Sequence, residues 1–193
     1  FREYFIYLQF ANRELINIVE MKKHSGMRPQ DILVLLKIIS MKNPEWLNLD
    51  IANSLKISQS EVSEALNRCK IARLIDGDKR KIYINSFKEF LIYGLKYVFP
   101  AEPGAIVRGI PTAHSANPIK ELISQGSENF VWPYSKGILR GQSIEPLYDT
   151  IPMVVQNDIL FYELLAILDT LRIGRAREIK IAIDELEKRL KNA

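Results

Sequence analysis

Cysteine and histidine are almost missing from this chain: Cys69 is the single thiol, and His24 and His114 are the two imidazoles among 193 residues. One thiol excludes an intramolecular disulfide and any zinc site built from several cysteines. Two histidines leave nucleophilic and metal constellations short of partners, so neither a metal nor a cofactor is expected. Long apolar runs are missing too. The longest, around Ile32 to Ile39, is broken by Lys37 and falls far short of the roughly 20 residues that span a bilayer. The opening FREYFIYLQFANRE has neither the basic start nor the small-residue cleavage site of a secretory signal. A cytoplasmic protein with no membrane partner is therefore expected. There is no Gly-x-x-x-x-Gly-Lys phosphate loop and no Gly-x-Gly-x-x-Gly fingerprint, and Glu102, Asp149, Asp158 and Asp169 form no paired-carboxylate motif. His114 precedes Ser115 in GIPTAHSANP, but a hydrolase would also need an acid and an oxyanion hole that the sequence does not offer. His114 reads as a loop histidine, and the chain as no enzyme.

What is present is ordinary globular composition, 47% apolar and 26% charged, with a net charge of +4 and a pI near 9.1. That balance is compatible with a polyanionic partner without demanding one. Proline and glycine are unevenly spread: seven of nine prolines lie between Pro100 and Pro152, and five of nine glycines between Gly104 and Gly141. They divide the chain into helical regions on either side of a middle part, residues 99–156, that reads as loops, turns and short strands. Residues 1–26 carry two readings. They are either a leader, including one derived from a tag, since Met27 follows the linker-like His24-Ser25-Gly26, or a helix whose Phe5, Leu8, Leu15, Ile18 and Val19 pack on a partner subunit.

From Pro29 the run PQDILVLLKIISMK has Ile32, Leu35, Leu36 and Ile39 at helical spacing, with Pro29 and Asp31 placed to start the helix. After Asn43-Pro44 comes LNLDIANSLKISQSEVSEALNRCKIARLI, the outline of two helices joined by a tight turn at Lys56-Ile57. Leu49, Ala52 and Leu55 are expected to face inward in the first. The second starts at Ser58, whose hydroxyl caps free N–H groups while Glu61 reaches back, a Ser-x-x-Glu capping box. Its Val62, Ala65, Leu66 and Cys69 recur at steps of three and four as a buried stripe. Gln59, Ser60, Ser63, Asn67 and Lys70 then face outward. Leu74-Ile75, Asp76-Gly77-Asp78, Lys79-Arg80-Lys81 and the alternating Ile82-Tyr83-Ile84 predict a β-hairpin with a basic tip.

On these residues the segment IANSLKISQSEVSEALNRCKIARLI resembles the helix-turn-helix of MarR-like and related winged-helix regulators, over about 70 residues, 27–98. It departs from them at Lys56 and Ala72, where glycine is common in relatives. The resemblance implies that the helix beginning at Ser58 enters the major groove of double-stranded DNA and the wing lies along the backbone or minor groove. The residues so implicated are Ser58, Gln59, Ser60, Ser63 and Asn67 for base edges or phosphates, and Arg68, Lys70, Arg73, Lys79, Arg80 and Lys81 for charge.

In the middle segment Trp132 and Tyr134, with Arg108, His114 and Arg140, are candidates for lining a pocket for a small-molecule effector or a partner protein. The plainer alternative is that the aromatics pack this extension against the winged domain. From Ile159 the positions Leu160, Leu164, Ile167 and Leu171, and after Gly174 Ile179, Ile183, Leu186 and Leu190, predict C-terminal helices over 157–193 with a break at Gly174. Such terminal helices resemble dimerising arms. Arg172, Arg175 and Arg177 near the break read as a solvated face. The expected fold is thus mainly α with a small β-hairpin wing: a winged helix-turn-helix domain, a Pro/Gly-rich extension and C-terminal helices. The expected role is a homodimeric, sequence-specific transcription regulator acting as a repressor. The rival is a winged-helix protein-interaction module, for example within a defence or toxin-antitoxin operon.

Overall fold

The computed structural model describes residues 26–123 and 128–191. The leader or partner-packing helix expected over residues 1–26 lies outside the described residues, Gly26 apart.

Helix α1, Pro29–Met41, begins as the sequence indicates: Pro29 sits in the first turn and the Arg28 amide donates to Asp31 Oδ2 at 2.8 Å. Lys42 ends it in the left-handed conformation, φ 50°. Its apolar surface is wider than the stripe of Ile32, Leu35, Leu36 and Ile39, because every residue from Asp31 to Ile39 is buried. A helix apolar all round must be covered all round. The coverage comes from α2 (Asn48–Leu55) and α3 (Gln59–Ile71) and from a C-terminal helix, α8 (Ile159–Ile173). In α2 the inward positions are Ile51, Ala52 and Leu55; Leu49, expected inside, is 47% exposed. With the helix starting at Asn48, Leu49 lies roughly 110° around from the centre of that stripe. Helix α3 starts at the capping box as expected: the Glu61 amide donates to Ser58 Oγ at 3.1 Å and the Ser58 amide to Glu61 Oε2 at 2.8 Å. Its buried side carries Val62, Ala65, Leu66 and Cys69, and burial pushes the Cys69 thiol pKa well up, so that it behaves as a small apolar residue.

The β-structure falls largely elsewhere than the sequence suggests. The expected hairpin over 74–84 is reduced to one bridge, Ile75 to Ile82, because the Asp76 carboxylate takes the amides of Arg80 and Lys81, which a ladder would use. Ile84, read as strand, opens helix α4 (Ile84–Glu89), which runs through a π-turn at Phe90–Gly94 into α5 (Leu95–Val98). The fully buried Phe87, Leu91 and Leu95 recur every four residues and need a helix to share a face. The three-stranded sheet lies instead in the middle segment: β1 (Ile106–Pro111) pairs antiparallel with β2 (Phe130–Pro133) and β3 (Leu139–Ser143), and β2 pairs with β3 in parallel. Each strand thus pairs with both others. So tight a closure depends on missing side chains: a Cβ at Gly109 would fall 2.0 Å from the Trp132 carbonyl oxygen, and one at Gly137 within 2.2 Å of Gly109. Two short helices accompany this sheet, α6 (Ile119–Leu122) between β1 and β2 and α7 (Ile151–Val154) after β3.

The chain closes with α8 and α9 (Ala176–Leu190), separated at Gly174, whose extended backbone (ψ 157°) ends α8. Leu164, Ile167 and Leu171 of α8 and Leu186 and Leu190 of α9 join Ile32, Leu66, Phe87 and Trp132 in one continuous core. Their apolar faces are therefore satisfied within the chain. The whole is mainly helical with a small three-stranded sheet, and among the described residues no helix is long and apolar enough to cross a membrane.

Asp158 fastens the two ends of this core. It caps α8 through the Phe161 amide at 2.9 Å and receives Lys37 Nζ at 2.7 Å and the Ser40 hydroxyl at 2.8 Å from α1. Burial alone would raise its pKa, but Lys37, the Phe161 amide and Ser40 outweigh that and hold it below the ordinary carboxylate value. A lowered folded-state pKa adds stability that is complete above the unfolded-state value and disappears as pH falls through the folded one. Asp158→Asn is therefore expected to cost about 1–3 kcal/mol in urea denaturation at neutral pH. The difference from wild type should shrink as the pH is lowered below about 4.

Candidate nucleic-acid interface

Helix α3 rests on α1 through its buried stripe, which turns Gln59, Ser60, Asn67 and Lys70 to the surface; Ser63 is half-buried and Ser58 exposed at the cap. The two acidic residues on this helix are occupied. The Ser58 amide and hydroxyl hold Glu61 ionised below its ordinary pKa, and the Tyr148 hydroxyl approaches it at 3.4 Å. Glu64 pairs with Arg68 Nη1 at 3.7 Å.

Arg68 corrects the sequence reading. Expected among the surface cations, it is buried instead, with Nε and Nη2 donating to Asp31 at 2.6–3.0 Å, and Asp31 itself is fully buried. It holds α3 on α1. The signal in the sequence is Asp31, a carboxylate followed directly by the apolar stretch Ile32 to Leu36, which needs a cation from somewhere. Nothing local shows that its partner lies 37 positions away.

The loop of the single bridge sits beside the other flank of α3. A groove of about 290 Å³ between them is lined by Trp46, Asn48, Ser63, Leu66, Lys79 and Arg80. Arg80 is anchored there: its guanidinium stacks 4.7 Å from the Trp46 ring centroid and donates to the Trp46 carbonyl at 2.7 Å. Lys79 turns the loop in the left-handed conformation, φ 59°, and Lys81 is exposed. Lys56, in the turn before α3, is left-handed as well (φ 55°), and so is Arg73 after it (φ 56°). The left-handed residue after α3 is thus Arg73, while Ala72 is ordinary right-handed backbone.

The five middle-segment candidates are not gathered into one pocket. Trp132 is buried and donates through Nε1 to Asp169 Oδ2 at 2.6 Å, so it packs the extension onto the C-terminal helix α8 rather than onto the 27–98 segment that the plainer alternative named. His114 lies against Phe130, with Nε2 3.0 Å from the Glu128 carbonyl and Nδ1 3.7 Å from Glu178. Ser115 Oγ accepts the Phe130 amide at 2.8 Å. Tyr134 lines a groove; Arg108 and Arg140 are exposed partners across β1 and β3. Arg172, read as solvated, is instead bound to Asp169 at 2.7 Å and to the Phe99, Pro100 and Glu145 carbonyls. Complete burial pushes the Asp169 carboxyl above its ordinary pKa, against the pull of Arg172, the Thr112 hydroxyl and the Trp132 indole. Asp158, another of the carboxylates weighed in the sequence, is likewise held in an ion pair. Among the described residues no group of three or more His, Cys, Asp or Glu is placed to hold a metal.

Comparison with protein-family models, with curated proteins and with solved structures finds no match to the chain.

Placement inside against placement outside separates two neighbouring cations of α3. Removing Arg68 leaves Asp31 buried and uncompensated, so Arg68→Ala should cost about 3–5 kcal/mol by chemical denaturation. Lys70→Ala should stay within about 0.5 kcal/mol of wild type.

Proposed function

We propose that this protein is a sequence-specific double-stranded DNA-binding regulator of winged helix-turn-helix type, with α3 as the reading helix and the 76–81 loop as a minimal wing. In this reading Gln59, Ser60, Ser63 and Asn67 reach base edges, and Lys56, Lys70, Arg73, Lys79 and Lys81 take phosphates. Arg68 is left out of the set, and Arg80 positions the wing against Trp46 more than it reaches outward.

The observation that carries the proposal is the identity of the left-handed residues. Among the described residues, Lys42, Lys56, Arg73, Lys79 and Ala113 are the non-glycine positions with positive φ. Four are cations, and three of these stand before, after and beside α3. An L-residue in this conformation costs roughly 1–2 kcal/mol relative to right-handed backbone, and glycine would relieve it. Keeping a cation at such positions favours charge over stability, which suits a phosphate-bearing partner.

A homodimer on pseudo-palindromic sites belongs to this reading. Since the apolar faces of α8 and α9 are packed within the chain, its interface would use other surfaces, and the exposed Tyr93, Tyr97 and Val98 offer one. Repression by occupying a promoter is the simplest mode of action. One observation favours the rival reading, a protein-interaction module: Leu47 and Leu49 are exposed at the start of α2, beside the groove at α3.

Fluorescence anisotropy with the chain's own upstream promoter and a scrambled duplex, at two salt concentrations, separates the readings. The proposal expects tighter, salt-weakened binding to the promoter and its loss in Ser63→Ala/Asn67→Ala. Equal weak binding to both duplexes supports the interaction module. Lys56→Gly is expected to be at least as stable as wild type, by up to about 1 kcal/mol, while its log-log salt slope falls by about one.

A further inference from the structure

Arg108 and Arg140 face each other directly in the β1–β3 ladder, and neither has a carboxylate partner among the described residues. Paired residues of an antiparallel ladder project to the same side with Cβ atoms about 5 Å apart, and like charges so placed repel. The register leaves them no escape. Gly109 and Gly141, which follow each arginine, lie against backbone so closely that a Cβ would come within 2.0 Å of the Trp132 carbonyl oxygen and 2.4 Å of that of Asn129. A slip of one residue would bring a side chain into those positions.

Two residues beyond Arg108 on β1 stands Ile110, and two residues before Arg140, in the bend that leads into β3, stands Ile138. Both line a groove of about 370 Å³ together with Tyr134, Lys136, Ile159 and Tyr162. Residues two apart on a strand share a side, so Arg108 lies on the side of β1 that Ile110 presents to the groove, and Arg140, its ladder partner, lies beside it and extends that surface beyond its apolar part. The groove's apolar walls are open to solvent: Ile138 is 90% exposed and Ile159 76%. Its floor is firm, since the Tyr162 hydroxyl donates to the Pro111 carbonyl at 2.7 Å and the Tyr162 ring packs edge-on to Trp132. Lys136 adds a third cation at the mouth. Two large exposed isoleucines next to an uncompensated cation pair form one amphipathic surface of the size that small ligands fill.

We propose that this surface binds a small amphipathic carboxylate, its apolar body between Ile138, Ile159 and Tyr162 and its carboxylate on the Arg108 and Arg140 guanidinium groups. The planar fork of arginine matches a carboxylate in two parallel hydrogen bonds. The span of about 7 Å between residues two apart on a strand suits a compact head joined directly to its apolar body. The ligand would neutralise the repulsion that the register imposes. The site stands apart from α3 and does not rest on the DNA-binding reading.

Isothermal titration of the full chain with decanoate, kept below its micelle concentration, tests the proposal, with decanol and inorganic phosphate as the apolar and anionic halves alone. Decanoate is expected to bind at one site, and decanol and phosphate much more weakly. Arg108→Ala/Arg140→Ala should weaken decanoate at least about tenfold, and Ile138→Glu should abolish its binding. In the absence of ligand, Arg140→Ala should raise the melting temperature, because it removes a repulsion; this keeps the weakened binding distinct from misfolding. No decanoate binding, equal binding by the double variant, or a lowered melting temperature for Arg140→Ala would each overturn it. Loss of heparin binding in the double variant, with decanoate inert on wild type, would also overturn it and give the arginines to a polyanion.

Discussion

The ion pair between Asp31 and Arg68 sets the orientation on which the candidate interface depends. Asp31 sits at the start of a helix buried on every face, with no water to solvate it, and accepts from the Arg28 amide and from two nitrogens of Arg68. Such a pair adds little net stability against a well-packed apolar replacement, since two charges must be desolvated. Its consequence is geometric. With Arg68 bound inward and Val62, Ala65, Leu66 and Cys69 seated on α1 and α2, α3 has one rotation available, the one that leaves Gln59, Ser60, Asn67 and Lys70 outside.

The same device recurs at the other joints. Asp158 ties the start of α8 to Lys37 and Ser40 of α1. Asp169 in the middle of α8 receives Thr112, Trp132 and Arg172, which joins the sheet segment and the 99–100 backbone to the helix. Three aspartates thus dock the three parts of the chain on the α1 and α8 core. The middle segment in turn reaches the start of α3 through Tyr148 and Glu61. The sheet segment and the start of α3 are accordingly parts of one packed body.

Much of the helical layout was legible because it depends on local signals. The Ser58 and Glu61 box, the stripe of Val62, Ala65, Leu66 and Cys69, and the break at Gly174 all follow from spacing within one turn or one dipeptide. The failures share a different cause. Arg68 and Arg172 were placed outside because charge was assigned to the solvated side of a helix, while their partners, Asp31 and the Asp169 network, depend on tertiary packing. The three-residue alternation Ile82-Tyr83-Ile84 points to strand, but the stronger period of Phe87, Leu91 and Leu95 begins just after it and Ile84 opens that helix. The middle segment hid its strands because Gly109, Gly137 and Gly141, which read as loop, are what allow three strands to close so tightly. Of the candidate site, the outward face of α3 was legible. The left-handed cations are visible in the sequence only at Lys56, as a departure from the helix-turn-helix pattern that the segment resembles.

Whether α3 reads DNA is most directly measured by selection from a randomised duplex pool, comparing the wild-type chain with Ser63→Ala/Asn67→Ala. Sequence-specific recognition predicts that the wild type enriches a defined motif, with two related half-sites if it binds as a dimer, and that the variant enriches none. A wild-type pool that stays random after repeated rounds would contradict it.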